Sequence, residues 1–246
     1  MGLFEFIAAV EDEKKTLTVF NPEAGVTATL REHFADRNLD IREAEHAAGP
    51  RNYAVLSHGD DFLTAIDVSD VLATNRGVEP DFTRETYDPV LDELDETLFT
   101  SYDTERMVAA SKEIEDRAWR GASGELHAGF QTYSRFASQA DVYDHLAERG
   151  GLDVYVYAHP DEEAIHRPTG PTLHLSTATE VHDTWFVAYD GGGVEETKCA
   201  LLAEERQPGS FYGFWTYDSD TVDSVVEYLR RTYATPEADG TRADGG

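Results

Sequence analysis

The chain has 246 residues with 49 Asp+Glu against 20 Lys+Arg, a formal net charge of −29. That length allows one large domain or two small ones, and 40% hydrophobic with 11% aromatic content marks a globular rather than a disordered chain. The charge disfavours nucleic acid and anionic membranes, no run approaches the about 18 apolar residues of a membrane helix, and the single Cys199 excludes an internal disulfide. Met1–Phe6 is no signal peptide, so a cytoplasmic protein is expected.

Only Lys14, Lys15, Lys112 and Lys198 are lysines, and the acids are spread along the whole chain. Such charge costs self-repulsion, which is tolerable where salt shortens the Debye length to about 3 Å at 1 M. The acidity therefore points to a salt-rich, halophilic habitat. It also makes carboxylate clusters poor evidence of chemistry.

In chain order, Leu3–Asp12 reads as an amphipathic helix with Leu3, Phe6, Ile7 and Val10 on one face. Thr16–Phe20 is a β-branched strand stopped by Asn21-Pro22, Val26–Arg37 is helical, and Leu39–Ala44 and Tyr53–Ser57 are strands. Phe62–Val68 is a strand or the start of a helix. Residues 1–74 thus form an N-terminal α/β unit. Residues 75–96, with Gly77, Pro80 and Pro89, form a connector, and Asp88–Leu98 is weakly helical.

A second unit begins with a helix from Thr104, taken as the N-cap, to about Trp119. Glu125–Thr132 is a strand, Ser138–Arg149 a helix, and Leu152–His159 an alternating strand. Leu173–Ser176, Thr184–Asp190 and Ala200–Glu205 are further strands, with Gly191–Gly193 a hairpin turn. Phe211–Tyr217 is an aromatic strand and Asp220–Tyr233 a closing helix, while residues 234–246 read as a disordered acidic tail.

The fold class is α/β, or α+β, with two similar mixed-sheet units packed together. Phe20-Asn21 corresponds to Phe130-Gln131, and residues 30–41 resemble residues 143–154. Either the chain is an internal duplication, or these are the ordinary likenesses of any two α/β units.

No phosphate loop, dinucleotide turn or nucleophile elbow occurs, and Gly191-Gly192-Gly193 runs into carboxylates where a phosphate would sit. His159, His166, His174 and His182, beside Asp161, Glu162 and Glu163, are spaced by 7, 8 and 8 across loops and strands. Metal sites commonly place ligands two or four residues apart on rigid elements. No metal and no cofactor are expected. Cys199 reads as packing and Ser57-His58 as a strand end.

The strongest local signal is aromatic: Phe211, Tyr212, Phe214, Trp215 and Tyr217, with Trp185-Phe186 and Phe130-x-x-Tyr133 nearby. It is either sheet core or the lining of a pocket for a flat or apolar ligand. The site reading places Gln131, Tyr133, Trp185 and Trp215 on one cavity, with Gln131 as polar anchor and no catalytic residues.

SKEIEDRAW (111–119), LHAGFQTYSRF (126–136), WFVAYD (185–190) and FYGFWTYDSDTVDSVVEYL (211–229) resemble the DICT sensory domain over about residues 97–233. That resemblance implies a non-catalytic input module of a signal-transduction system, binding an unidentified small ligand or a signalling protein partner. Two rival readings stand beside it. An interaction scaffold, forming a homodimer through the aromatic strand, would expose an apolar patch. An enzyme with acid/base residues hidden among the carboxylates would place a strongly perturbed group in a cleft.

Overall fold

The computed structural model describes residues 2–35, 37–69, 90, 94, 96–162 and 165–233. Most of the connector and the whole of 234–246 lie outside the described residues.

The described elements are α1 (Leu3–Asp12), β1 (Lys15–Phe20), α2 (Val26–His33), β2 (Leu39–Ala44), β3 (Tyr53–His58) and β4 (Asp61–Asp67). They continue as β5 (Glu96–Asp103), α3 (Thr104–Gly121), β6 (Gly124–Thr132), α4 (Tyr133–Ala137), α5 (Ala140–Ala147) and β7 (Leu152–His159). The remainder is β8 (Thr172–Leu175), α6 (Thr179–Asp183), β9 (Thr184–Tyr189), β10 (Cys199–Gln207), β11 (Ser210–Thr216) and α7 (Ser219–Tyr233). The fold is mixed α/β with two mixed sheets, as expected.

Several local expectations change. Glu96–Asp103 is a strand rather than the end of a helix, and α3 is capped by Asp103, whose carboxylate accepts from the Arg106 N–H at 2.9 Å. α2 stops at His33, earlier than Arg37. The single helix expected over Ser138–Arg149 is α5 alone, preceded by a separate short α4. Gly191–Gly193 is not a tight hairpin but the first of two 3₁₀ turns joining β9 to β10.

The small sheet has strand order β2-β1-β3-β4 and the large sheet β5-β11-β10-β9-β6-β7-β8. Within the large sheet, β7-β6-β9-β10 repeats the small one: β6 runs parallel to β7 and antiparallel to β9, as β1 does to β2 and β3. Leu17 faces Leu56 as Leu126 faces Tyr189, an offset of 126 − 17 = 109 for the first strand. At that offset Phe20 falls on Gly129, since 129 − 20 = 109, and not on Phe130. A bulge between Gly129 and Thr132 inserts the extra residue. Beyond it the strand ends match again. Asn21 (φ 48°) and Gln131 (φ 63°) both sit in the left-handed region, 131 − 21 = 110 residues apart. The Asn21–Gln131 correspondence therefore stands, and the Phe20–Phe130 one does not.

The large sheet is buried on both faces. One face carries Leu126, Ala128, Val154, Val187, Leu201 and Phe211 under α3, α4 and α5. The other carries Tyr157, Phe186, Ala188, Leu202 and Phe214 under α1 and α7. Leu3, Phe6, Ile7 and Val10 thus pack on the large sheet, although the sequence reading grouped α1 with the N-terminal unit. The small sheet forms its own core of Leu17, Val19, Leu30, Ile41, Ala54 and Leu56.

Candidate ligand cavity

At the end of the large sheet where β6 and β10 finish, a cavity of about 460 Å³ opens between the sheet, α3 and the α4–α5 pair. α3 presents Thr104, Val108, Ser111, Lys112 and Glu115 to it. Their spacing of three to four residues keeps them on one helical stripe. The bulge turns Phe130 to this face, where its ring packs edge-on against Tyr143 (4.9 Å between centroids). Trp185 and Phe211 form a second perpendicular pair at 5.5 Å. Two orthogonal aromatic pairs thus make an apolar lining, the geometry that ring quadrupoles favour.

The polar groups are held in place. The Trp185 Nε1–H donates to Ser111 Oγ at 3.0 Å, fixing the indole against α3. The Tyr143 hydroxyl donates to Glu115 at 2.6 Å. Burial raises the Glu115 carboxyl above the ordinary range, against the Tyr143 bond that favours its charge. Burial and the facing carboxylate push the Tyr143 hydroxyl well up.

Gln131 is 2% exposed and does not line this cavity, but it bonds two residues that do. Its amide donates to Glu205 at 2.7 Å, and its carbonyl accepts from Arg135. Against burial, the Gly209 N–H, the Gln131 amide and Arg135 hold Glu205 below its ordinary value. Gln131, Arg135 and Glu205 line an adjoining cleft of about 270 Å³ with His182 and Arg206, so this polar triad stands between two hollows.

Of the four residues expected at one site, Trp185 lines the cavity, and Gln131 lines only the adjoining cleft, joined to the cavity through its bonds to Glu205 and Arg135. Tyr133 does not join them: its ring is buried in the core, with its hydroxyl donating to the His166 carbonyl and accepting from the His166 N–H. Trp215 shares the sheet face with Trp185, but it packs against Tyr217 near the far end of β11 and does not line the cavity. Sequence reasoning missed Glu115, Arg135 and Tyr143. No signal in the sequence marked the α3 residues as cavity lining, and the reach of Arg135 depends on the bulge and on α4.

A second buried polar cluster occupies the opposite sheet face. His127 is fully buried, with Nδ1 2.8 Å from the Tyr157 hydroxyl and Nε2 3.0 Å from Glu125. A neutral imidazole protonated at Nε2 satisfies both, donating to Glu125 and accepting from Tyr157. The bonds from His127 and Arg230 bring the Glu125 carboxyl down to about 2. Cys199 is buried, and burial pushes its thiol up to about 12, which suits packing and not nucleophilic chemistry. Among the described residues no three of His, Cys, Asp and Glu converge as a metal would need. No helix among the described residues is long and apolar enough to cross a membrane.

No curated protein sequence matches the chain. Among solved structures it is similar to one titled Crystal Structure of Polyphosphate Kinase from Porphyromonas Gingivalis, at 10% identity and a TM-score of 0.37. That likeness covers 93% of this chain and 47% of the other, about half its length, and carries no argument about function. A family model described as DICT, Sensory domain in DIguanylate Cyclases and Two-component system, matches residues 88–206. The match begins earlier than the resemblance read from sequence and ends before the 211–229 phrase, but it spans β6 to β10 and most of the cavity wall. Over residues 88–206 the chain is therefore similar to the DICT family of sensory domains.

Proposed function

We propose that this protein is a sensory input module that binds a small, flat, largely apolar molecule in the cavity beneath α3 and does not turn it over. The observation that carries the reading is the cavity itself. At about 460 Å³ it falls in the range of small-molecule sites, and two orthogonal aromatic pairs line it beside a few fixed polar groups. The sensory description of the family supports the same reading.

Native mass spectrometry of the full chain, purified in molar salt, tests it together with Val108→Trp. Val108 lines the cavity yet is 38% exposed, so an indole there fills the space without entering the core. The expected result is a small molecule that travels with the natural chain and is absent from V108W, at unchanged melting temperature. A bound mass that persists in V108W overturns the assignment to this cavity. Absence of any bound mass, with added aromatic probes binding both chains equally or neither, overturns ligand sensing here.

A further inference from the structure

The cavity's charged groups differ in how far they are already engaged. Glu205 accepts from Gln131 at 2.7 Å and from the Gly209 N–H at 2.7 Å, with Arg135 3.5 Å away. Glu115 accepts from Tyr143. The cations are far less committed. Arg135 uses Nη1 towards Gln131 and Glu205, while its Nε and Nη2 make no hydrogen bond among the described residues. Lys112, which lines the same cavity, has its charge felt by Glu115 one turn on. No hydrogen bond or ion pair within 4 Å occupies its Nζ among the described residues. Lys198, by contrast, is engaged by Asp223 at 2.7 Å and Glu195 at 3.1 Å. In a chain of four lysines and net charge −29, Lys112 and Arg135 bring two cations with open N–H groups to one aromatic-lined cavity.

We infer that the ligand is an aromatic carboxylate, its ring against Trp185 and Phe130 and its carboxylate taking the unspent N–H groups of Lys112 and Arg135. This rests on the cavity reading above and adds the charge class. The geometry of a guanidinium fork suits a carboxylate, which accepts two parallel hydrogen bonds from it. The two carboxylates of the lining are already engaged, Glu115 by the Tyr143 hydroxyl and Glu205 by Gln131, the Gly209 N–H and Arg135. An aromatic amine is the competing class, since carboxylates and ring faces both attract cations.

Three probes with one ring system decide between them: 2-naphthoate, 2-naphthamide and 2-naphthylmethylamine, each titrated into the full chain in molar salt by calorimetry. The carboxylate should bind about tenfold more tightly than the amide, and the amine most weakly. In the double variant K112Q/R135Q the naphthoate affinity should fall about tenfold while the naphthamide affinity stays within about twofold. Equal or tighter binding of the amide or the amine overturns the inference, as does an equal loss for carboxylate and amide in the double variant. Failure of all three probes also overturns it. The cavity reading then still stands if a co-purified mass is lost in V108W, and falls with it if none is.

Discussion

The small sheet and the core of the large one share a strand order, strand directions and a register, and each has a hollow at its strand end, but only the hollow of the large sheet is lined by aromatic rings, while that of the small one is lined by Asn21, Glu23, Glu43, Glu45, His46 and Arg51 with few apolar neighbours. In the small unit Asn21 ties down the loop that walls this hollow: its amide donates to the carbonyls of His46, Gly49 and Pro50, and its carbonyl accepts from the His46 N–H. In the large unit Gln131 occupies the matching left-handed position, one methylene longer. It turns to the side chains of Glu205 and Arg135 instead of to backbone. The inserted bulge residue Phe130 moves to the helix-covered face, where it becomes part of the lining. A shared framework thus carries a polar hollow at one strand end and an aromatic one at the other, and the inserted Phe130 is part of that difference.

Salt offers the largest break between the two regions. At about 0.1 M the Debye length is about 10 Å, and a charge of −29 is then weakly screened. The chain is expected to lose its fold on dialysis from molar potassium chloride, the small unit first. All three tryptophans, Trp119, Trp185 and Trp215, lie in the larger unit. Far-ultraviolet circular dichroism should therefore begin to fall before tryptophan fluorescence shifts. Coincident transitions would show that the units melt as one, and identical melts at both salt concentrations would remove the halophilic reading.

The matched pair Phe20 and Gly129 tests the register directly. A Cβ at Gly129 would overlap the Phe186 ring in the core under α1 and α7, so Gly129→Ala should cost about 2–3 kcal/mol. Phe20 is only half-buried, and Phe20→Ala should cost under about 1.5 kcal/mol. Denaturant melts of the two variants check the contrast, and equal losses would break the proposed correspondence.

Acid separates the two units in another way. Glu125 matches Thr16 of the small sheet at the same offset, and it carries an ion pair to Arg230 at 2.6 Å. Its carboxyl drops from 4.5 to about 2 on folding, chiefly through His127. Its stabilisation is therefore complete above pH 4.5 and disappears as pH falls towards 2. E125Q should destabilise the larger unit by about 2 kcal/mol at neutral pH and flatten its melting temperature over that acid window. An unchanged slope between those limits would show that Glu125 does not govern it.

The smallest effect concerns the strand ends. Gln131→Gly relieves a left-handed backbone but removes two buried hydrogen bonds, so a net loss of about 1 kcal/mol is expected. Asn21→Gly should cost a similar amount but leave probe binding in the cavity unchanged, whereas Q131G should weaken it severalfold.

Periodicity and turn chemistry made most of this fold legible. The β-branched run 16–20 stopped by Asn21-Pro22, and the alternation of Leu152–His159, specify strands with little help from context. Glu96–Asp103 was not legible, because its first residues were read as the end of the weakly helical Asp88–Leu98, and the pairing with β11 that makes it a strand lies more than 100 residues away in sequence. The site was half legible. Trp185 and Gln131 stood out by residue type and position, but Glu115 looked like any other acid in a chain with 49 of them. The bulge that turns Phe130 leaves no mark in the letters, and without it Tyr133 and Trp215 looked equally well placed.

Glu180 carries a further consequence. One oxygen accepts the Leu3 N–H at 2.8 Å, and the other accepts the hydroxyls of Tyr228 and Tyr233. A single carboxylate on α6 therefore fastens the start of the first helix and the last turn of the final one to the same corner. Anything spliced before Gly2 or after Tyr233 would emerge there side by side, so a circular permutant that joins these ends and opens the loop at Gly59 should fold. A donor and acceptor fluorophore placed at the two ends would report on that corner as one hinge.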